Sequence, residues 1–256
     1  MAVIILKPSM SLLLRAQTKM GQIIRIGTRE SQLAVWQATQ VKELLAQHGF
    51  TAELVYIKSE GDIDLKTPLY EMGVQGIFTR SLDLALLNNT IDIAVHSMKD
   101  LPTNAPEGLV ISAVSYREDP SDILLINKNI ADKGKVLQLP EKARVGTSSS
   151  RRKGQLLDIR PDLQLVDIRG NVPTRIQKLK QGDFDAIILA SAGLARLDID
   201  TTSFHVIRFD PTEIVPAPAQ GVLAWQTMAN DIQTRKILMG IHQSEVSDVT
   251  NVERKV

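Results

Sequence analysis

The chain has 256 residues, 43% of them hydrophobic, enough to bury a full core and more than the commonest single domain, so one large or two modest domains are expected. A formal net charge of +1 argues against the uniform basic coat of a general nucleic-acid binder, and the absence of cysteine excludes disulfides, thiolate zinc sites and cysteine nucleophiles together. The histidines, His48, His96, His205 and His242, lack metal-ligand spacing and read as caps, core or surface residues, so no metal is expected.

Residues 1–29 contain no acidic side chain and carry two short apolar runs, at 3–6 and 12–14. Neither is long enough to span a membrane or to make a signal-peptide core, so residues 1–22 read as a disordered tail or an organelle leader. The protein itself is expected in the cytoplasm, with no membrane partner. Residues 23–26 form the first expected strand. After Gly27-Thr28-Arg29-Glu30-Ser31, the apolar positions Leu33, Trp36, Val41, Leu44 and Leu45 keep helical spacing up to His48-Gly49, and Ser31 suits an N-cap. A strand over 54–57 follows. The polar stretch 59–76 holds three glycines and a proline and is too long for an ordinary connection, which predicts a mobile loop over a site.

Helical spacing returns over 78–87, with Phe78, Leu82, Ala85 and Leu86 on one face. A buried strand over 91–95 then runs into His96-Ser97-Met98-Lys99-Asp100-Leu101-Pro102. Two strand-like runs within 109–127, separated by Tyr116-Arg117-Glu118-Asp119-Pro120, suit a crossing between lobes, and 204–209 with the proline-rich 211–218 suit the return crossing. Between them strands over 144–146, 163–168 and 186–190 each enter a turn and a helix. Strands alternating with helices imply parallel sheets, whose ligands sit beyond the carboxyl ends of the strands.

Two of those turns are basic: Gly146-Thr147-Ser148-Ser149-Ser150-Arg151-Arg152 and Arg169-Gly170-Asn171-Val172-Pro173-Thr174-Arg175. Strand-to-helix turns aim backbone N–H groups outward, and arginine adds forked donors matched to carboxylate or phosphate oxygens. A multiply charged anion is the simplest ligand. The alternative is that these arginines are solvated or pair with acids such as Asp158 and Asp167. Asp122 and Asp162 read as carboxylates whose neutralisation should be nearly silent.

Five segments in order, 25–31, 96–102, 146–152, 169–175 and Pro218-Ala219-Gln220-Gly221, resemble the signature of the hydroxymethylbilane synthase (porphobilinogen deaminase) family, over residues 23–256. The resemblance implies the tetrapyrrole-pathway transferase that joins four porphobilinogen units head to tail, releasing ammonia at each step, and then hydrolyses off the linear product. It implies an α/β fold with two lobes of mixed, mainly parallel sheet, resembling type II periplasmic binding proteins and joined by two crossover segments. The expected division is 23–116 plus 211–231 for lobe 1 and 117–210 for lobe 2, with 232–256 a helical remnant leading to a missing third α+β domain.

By the same resemblance, Asp100 is the catalytic carboxylate that stabilises positive charge on the pyrroles. Arg29, Ser31, Ser97, Lys99, Thr147, Ser148, Ser149, Arg151, Arg152, Arg169, Gly170, Arg175, Arg196 and Gln220 bind the acetate and propionate groups of porphobilinogen and growing pyrrole polycarboxylates. His96 is expected to be structural. The family carries a dipyrromethane cofactor as a thioether on a third-domain cysteine, and this chain has no cysteine to attach it. Further departures are Glu71 and Gln75, where lysines are usual, and Pro173 and Ala219, where glycine is common. A monomer is expected. The competing reading is a non-catalytic binder of small polycarboxylates using the same two-lobed cleft, with nucleic acid a weaker third.

Overall fold

The computed structural model describes residues 23–58 and 79–255. The loop expected over 59–76, with Glu71 and Gln75, and the tail 1–22 lie outside those residues, as does Phe78.

The chain first lays down β1 (Ile24–Thr28), α1 (Gln32–Gln47), β2 (Ala52–Tyr56), α2 (Arg80–Leu87), β3 (Ile93–Ser97) and β4 (Leu109–Val114). It then crosses to β5 (Asp122–Asn127), β6 (Arg144–Gly146), α3 (Ser150–Ile159), β7 (Gln164–Val166), α4 (Val172–Lys180), β8 (Ala186–Ala190), α5 (Ser191–Arg196) and β9 (Phe204–Arg208). It returns through β10 (Leu223–Met228) and ends in α6 (Ile232–Met239) and α7 (Ser244–Glu253).

Two five-stranded sheets result, ordered β2-β1-β3-β10-β4 and β7-β6-β8-β5-β9. In each, three parallel strands are followed by one antiparallel strand and a fifth that runs with the first three. The antiparallel member is the strand that has just crossed from the other lobe: β5 enters the second sheet and β10 closes the first. Both crossings therefore meet at one hinge, between the carboxyl ends of the parallel strands.

The apolar runs explain why these segments became strands. Ile123, Leu124, Leu125 and Ile126 are all at most 5% exposed, because β5 is central and covered on both faces. In the first sheet, Ile26, Ile93 and Trp225 pack under Ala38, Val41 and Leu45 of α1, which repeat along one helical face. Each fully buried aliphatic side chain of this kind contributes about 1.5–3 kcal/mol.

Two expectations are corrected. The segment expected to open the return crossing, 204–209, is mostly an edge strand, because β9 pairs along the whole of β5, and the crossing itself is 209–222. The third strand begins two residues late, at Ile93 rather than Ile91, because the Asp92 carboxylate instead accepts from the Arg25 amide at 2.7 Å and from its guanidinium. The terminal helices pack on the first lobe. Ile237, Leu238 and Ile241 join the first lobe's core, the His242 ring and Gln243 amide bond to Val114 on edge strand β4, and Val246 packs beside Met98.

Candidate functional site

Two turns at the ends of β1 and β3 shape the first lobe's side of the cleft. After β1, Ser31 accepts from the Ala34 amide at 3.3 Å and caps α1, so its hydroxyl has the capping role of a helix start while still lining the cleft. After β3, Ser97 accepts from the buried Gln37 carboxamide at 2.9 Å. A single 3-10 turn over Met98–Asp100 follows, with Met98 sunk among Leu101, Val114 and Ala219. Burying Met98 turns Lys99 and Asp100 toward the cleft, Lys99 half-buried and Asp100 exposed. From α7, Arg254 donates to the carbonyls of Met98 at 3.0 Å, Leu101 at 3.2 Å and Pro102 at 2.5 Å, which fixes the loop that carries Asp100.

His96, one strand position earlier, is buried and bonded through Nε2 to Gln226 at 3.1 Å. Burial drives its pKa down to about 4, so it is a neutral core group at neutral pH.

On the second lobe the basic turns divide by role. Ser149 caps α3 by accepting from the Arg152 amide, Thr147 accepts from the Ser149 amide, and Ser148 both donates to the Ile168 carbonyl and accepts from its amide. These hydroxyls hold the two turns together. Arg151 turns away, donating to Asp122 at 2.7 Å and to the Val215 carbonyl. Arg152 does line the cleft, while its guanidinium bonds Asp122 at 2.6 Å and the Ile188 carbonyl at 3.2 Å.

Asp122 is therefore the partner of that pair, not Asp158 or Asp167, and Asp167 instead pairs with Lys153. Asp122 is fully buried between these two guanidiniums. Burial opposes its charge, but Arg152 and Arg151 outweigh that and hold the carboxyl below its ordinary value.

In the second turn Gly170 takes φ +108° and an added Cβ would lie 2.8 Å from Thr174, so glycine is required there. Asn171 caps α4, and Pro173 sits in its first turn, where the missing N–H costs nothing. Arg175 Nε donates to the Gly170 carbonyl at 2.8 Å. Enclosure and the neighbouring Arg152 and Arg169 bring its pKa down to about 10, with Asp100 opposing. After β8, Arg196 donates to the Gly221 carbonyl at 2.6 Å and lies 5.8 Å from the Trp36 ring of α1.

These groups converge on a cleft of about 550 Å³. Among the described residues Arg29, Lys99, Arg152, Arg169, Arg175 and Arg196 bring six cations to its lining, against the two acids Glu30 and Asp100, which suits a ligand carrying negative charge. Ser31, Ser97, Gly170 and Gln220 complete the expected residues found there. Glu30, Asp122, Gln37 and Arg254 were missed, because local spacing carries no sign of partners brought from distant segments. Among the described residues there is no metal-ligand cluster, and no helix is long and apolar enough to cross a membrane.

The family model "Porphobilinogen deaminase, dipyromethane cofactor binding domain" matches residues 24–236. The porphobilinogen deaminase of Chloroherpeton thalassium is 43% identical over 241 residues, covering 93% of this chain and 74% of that protein. That of Moorella thermoacetica is 45% identical over 234 residues, covering 90% and 72%. Among solved structures, a probable amino-acid ABC transporter extracellular-binding protein of Bacillus subtilis superposes with TM-score 0.53 at 15% identity, over 91% of this chain and 96% of its own. An ancestral cationic amino acid solute-binding protein gives 0.50 at 17%, over 95% and 98%. These two share the two-lobed fold.

Proposed function

The chain belongs to the porphobilinogen deaminase family, and from that premise we propose how its cleft divides the work of joining porphobilinogen units head to tail with loss of ammonia. The observation that carries the reading is the pairing, in one cleft, of a cationic wall with a single exposed aspartate on the opposite lobe.

Porphobilinogen carries an acetate and a propionate, so each added ring brings two carboxylates to the cleft. Arg175, Arg152, Arg169, Arg196, Arg29 and Lys99 hold them, each charge-assisted hydrogen bond contributing on the order of 1.5–3 kcal/mol. Asp100 acts on the opposite charge. Departure of ammonia from the aminomethyl carbon leaves a cationic methylene-pyrrolenine, and attack by the next pyrrole carbon moves positive charge onto a second ring. A carboxylate held beside the pyrrole nitrogens stabilises both stages. Asp100 is exposed at the cleft, within electrostatic reach of Lys99 and Arg175.

Dipyrromethane, when bound, supplies a primer with four carboxylates and a pyrrole α-carbon for chain growth. The cationic wall fits those carboxylates. The 256 residues contain no cysteine, so the family's thioether has no sulfur in this chain, and within it a primer is held by the cleft alone. We further take the protein to act as a monomer in the cytoplasm.

The test is ammonia release from porphobilinogen by parent and Asp100→Asn. The variant should lose roughly 10²–10³-fold in kcat with KM little changed, because the lost interaction belongs to the transition state. Equal turnover would overturn the assignment.

A further inference from the structure

Lys99 and Asp100 are neighbours in sequence, and both face the cleft. An ammonium next to a carboxylate ordinarily pairs with it, and such a pair would cancel the charge Asp100 needs. Among the described residues that pairing is not made: Lys99 Nζ donates instead to Gln220 Oε1 at 3.2 Å.

Gln220 can accept there because its amide is fixed from the other end. Its Nε2 lies 2.6 Å from the Pro120 carbonyl and 2.9 Å from Asp122 Oδ1. Two acceptors at one end require that end to be the NH2, which leaves the oxygen facing Lys99. Asp122 is locked in turn by Arg151 and Arg152. Gln220 is 1% exposed, and its backbone carbonyl accepts from Arg117 Nε at 3.0 Å. On either side Ala219 and Gly221 take φ +59° and +91°, and a Cβ at Gly221 would lie 2.2 Å from the Glu118 carbonyl. A turn with a left-handed alanine persists only where its surroundings over-determine it.

We propose that Gln220, oriented by the buried Asp122, is a positioning residue that holds the Lys99 ammonium at the hinge and away from Asp100, keeping the carboxylate available to the pyrroles. The relay runs from the second lobe through both crossings to the catalytic turn. It deepens the proposed function and rests on it for the role of Asp100, but the contact between Gln220 and Lys99 is testable without ligand.

The charged groups that face Lys99 are Asp100, Arg152, Asp122 and Arg151. Enclosure outweighs the carboxylates and brings its pKa down to about 8, within reach of titration. The experiment follows the 13Cε signal of Lys99 against pH in protein labelled with 13C-lysine, the signal being identified by its loss in Lys99→Arg.

Removing the acceptor in Gln220→Leu releases the ammonium toward Asp100, whose charge favours the protonated form, so the midpoint should rise. Porphobilinogen binding by calorimetry near pH 7 should weaken by roughly tenfold. Gln220→Asn keeps the amide but is one methylene too short to span Asp122 and Lys99, and it should shift the midpoint the same way if the leucine variant does not fold. An unmoved or lowered midpoint in a folded variant, even with a lower melting temperature, shows that Gln220 does not keep Lys99 from Asp100 and overturns the relay. A raised midpoint with unchanged porphobilinogen binding supports the relay and counts against the carboxylate cleft.

Discussion

The two lobes share one strand order but divide the chemistry. Each offers the carboxyl ends of parallel strands to the hinge, yet the second lobe supplies Arg152, Arg169, Arg175 and Arg196, while the first supplies Asp100 and Lys99 on one short turn. Arg152, Arg169 and Arg175 lie at or near helix starts, where backbone N–H groups add to their field, whereas Arg196 ends α5. The first lobe's carboxylate sits on a 3-10 turn, steadied by Met98 beneath and Arg254 behind. Topology fixes where side chains meet; the residue types at those ends place four of the cations on the second lobe and the aspartate, with Arg29 and Lys99, on the first.

Asp122 joins the lobes, through Gln220 on one side and Arg151 and Arg152 on the other. Asp122→Asn leaves two guanidiniums facing a neutral group in a buried site, and should cost about 3–5 kcal/mol of stability. Denaturant midpoints of the two proteins at equal m-value measure it.

Acid separates the lobes next. His96 is a first-lobe core residue with a folded pKa of about 4 against an ordinary 6.5. Between those values the unfolded chain binds the proton and the folded chain does not. Its contribution is therefore full above about pH 6.5 and falls away toward pH 4, by roughly 3 kcal/mol. Urea titrations at several pH values should show this slope in the parent and a flatter one in His96→Gln.

The smallest effect sharpens the hinge. Ala219 holds φ +59° where glycine would be unstrained, so Ala219→Gly relieves roughly 1–2 kcal/mol of native strain. Glycine's larger unfolded-state entropy returns about 0.4–1 kcal/mol of that. A melting temperature raised by a few degrees is the expected result, and a lowered one would show that the strain is absent.

Much of this was legible in the sequence because it is local. The alternation of apolar runs with helical spacing located most of the described strands and helices, and glycine-punctuated turns located most of the cleft. What was hidden depends on partners distant in the chain. Thr147, Ser148 and Ser149 look like ligand groups in a basic turn, but their hydroxyls satisfy backbone groups as far away as Ile168. Asp122 looked like one more surface acid until the fold placed it beside arginines 29 and 30 residues further on. Arg254 reaches carbonyls more than 150 residues earlier, and no local pattern announces that.

The division between the lobes is tested most directly by calorimetric titration of porphobilinogen into the parent, Arg175→Leu and Asp100→Asn. Removing the second-lobe cation should weaken binding by roughly 10- to 100-fold, whereas removing the first-lobe charge should leave it within about twofold, since Asp100 acts on charge that develops only during reaction. Binding by Arg175→Leu equal to the parent, or a larger loss in Asp100→Asn than in Arg175→Leu, would contradict the account.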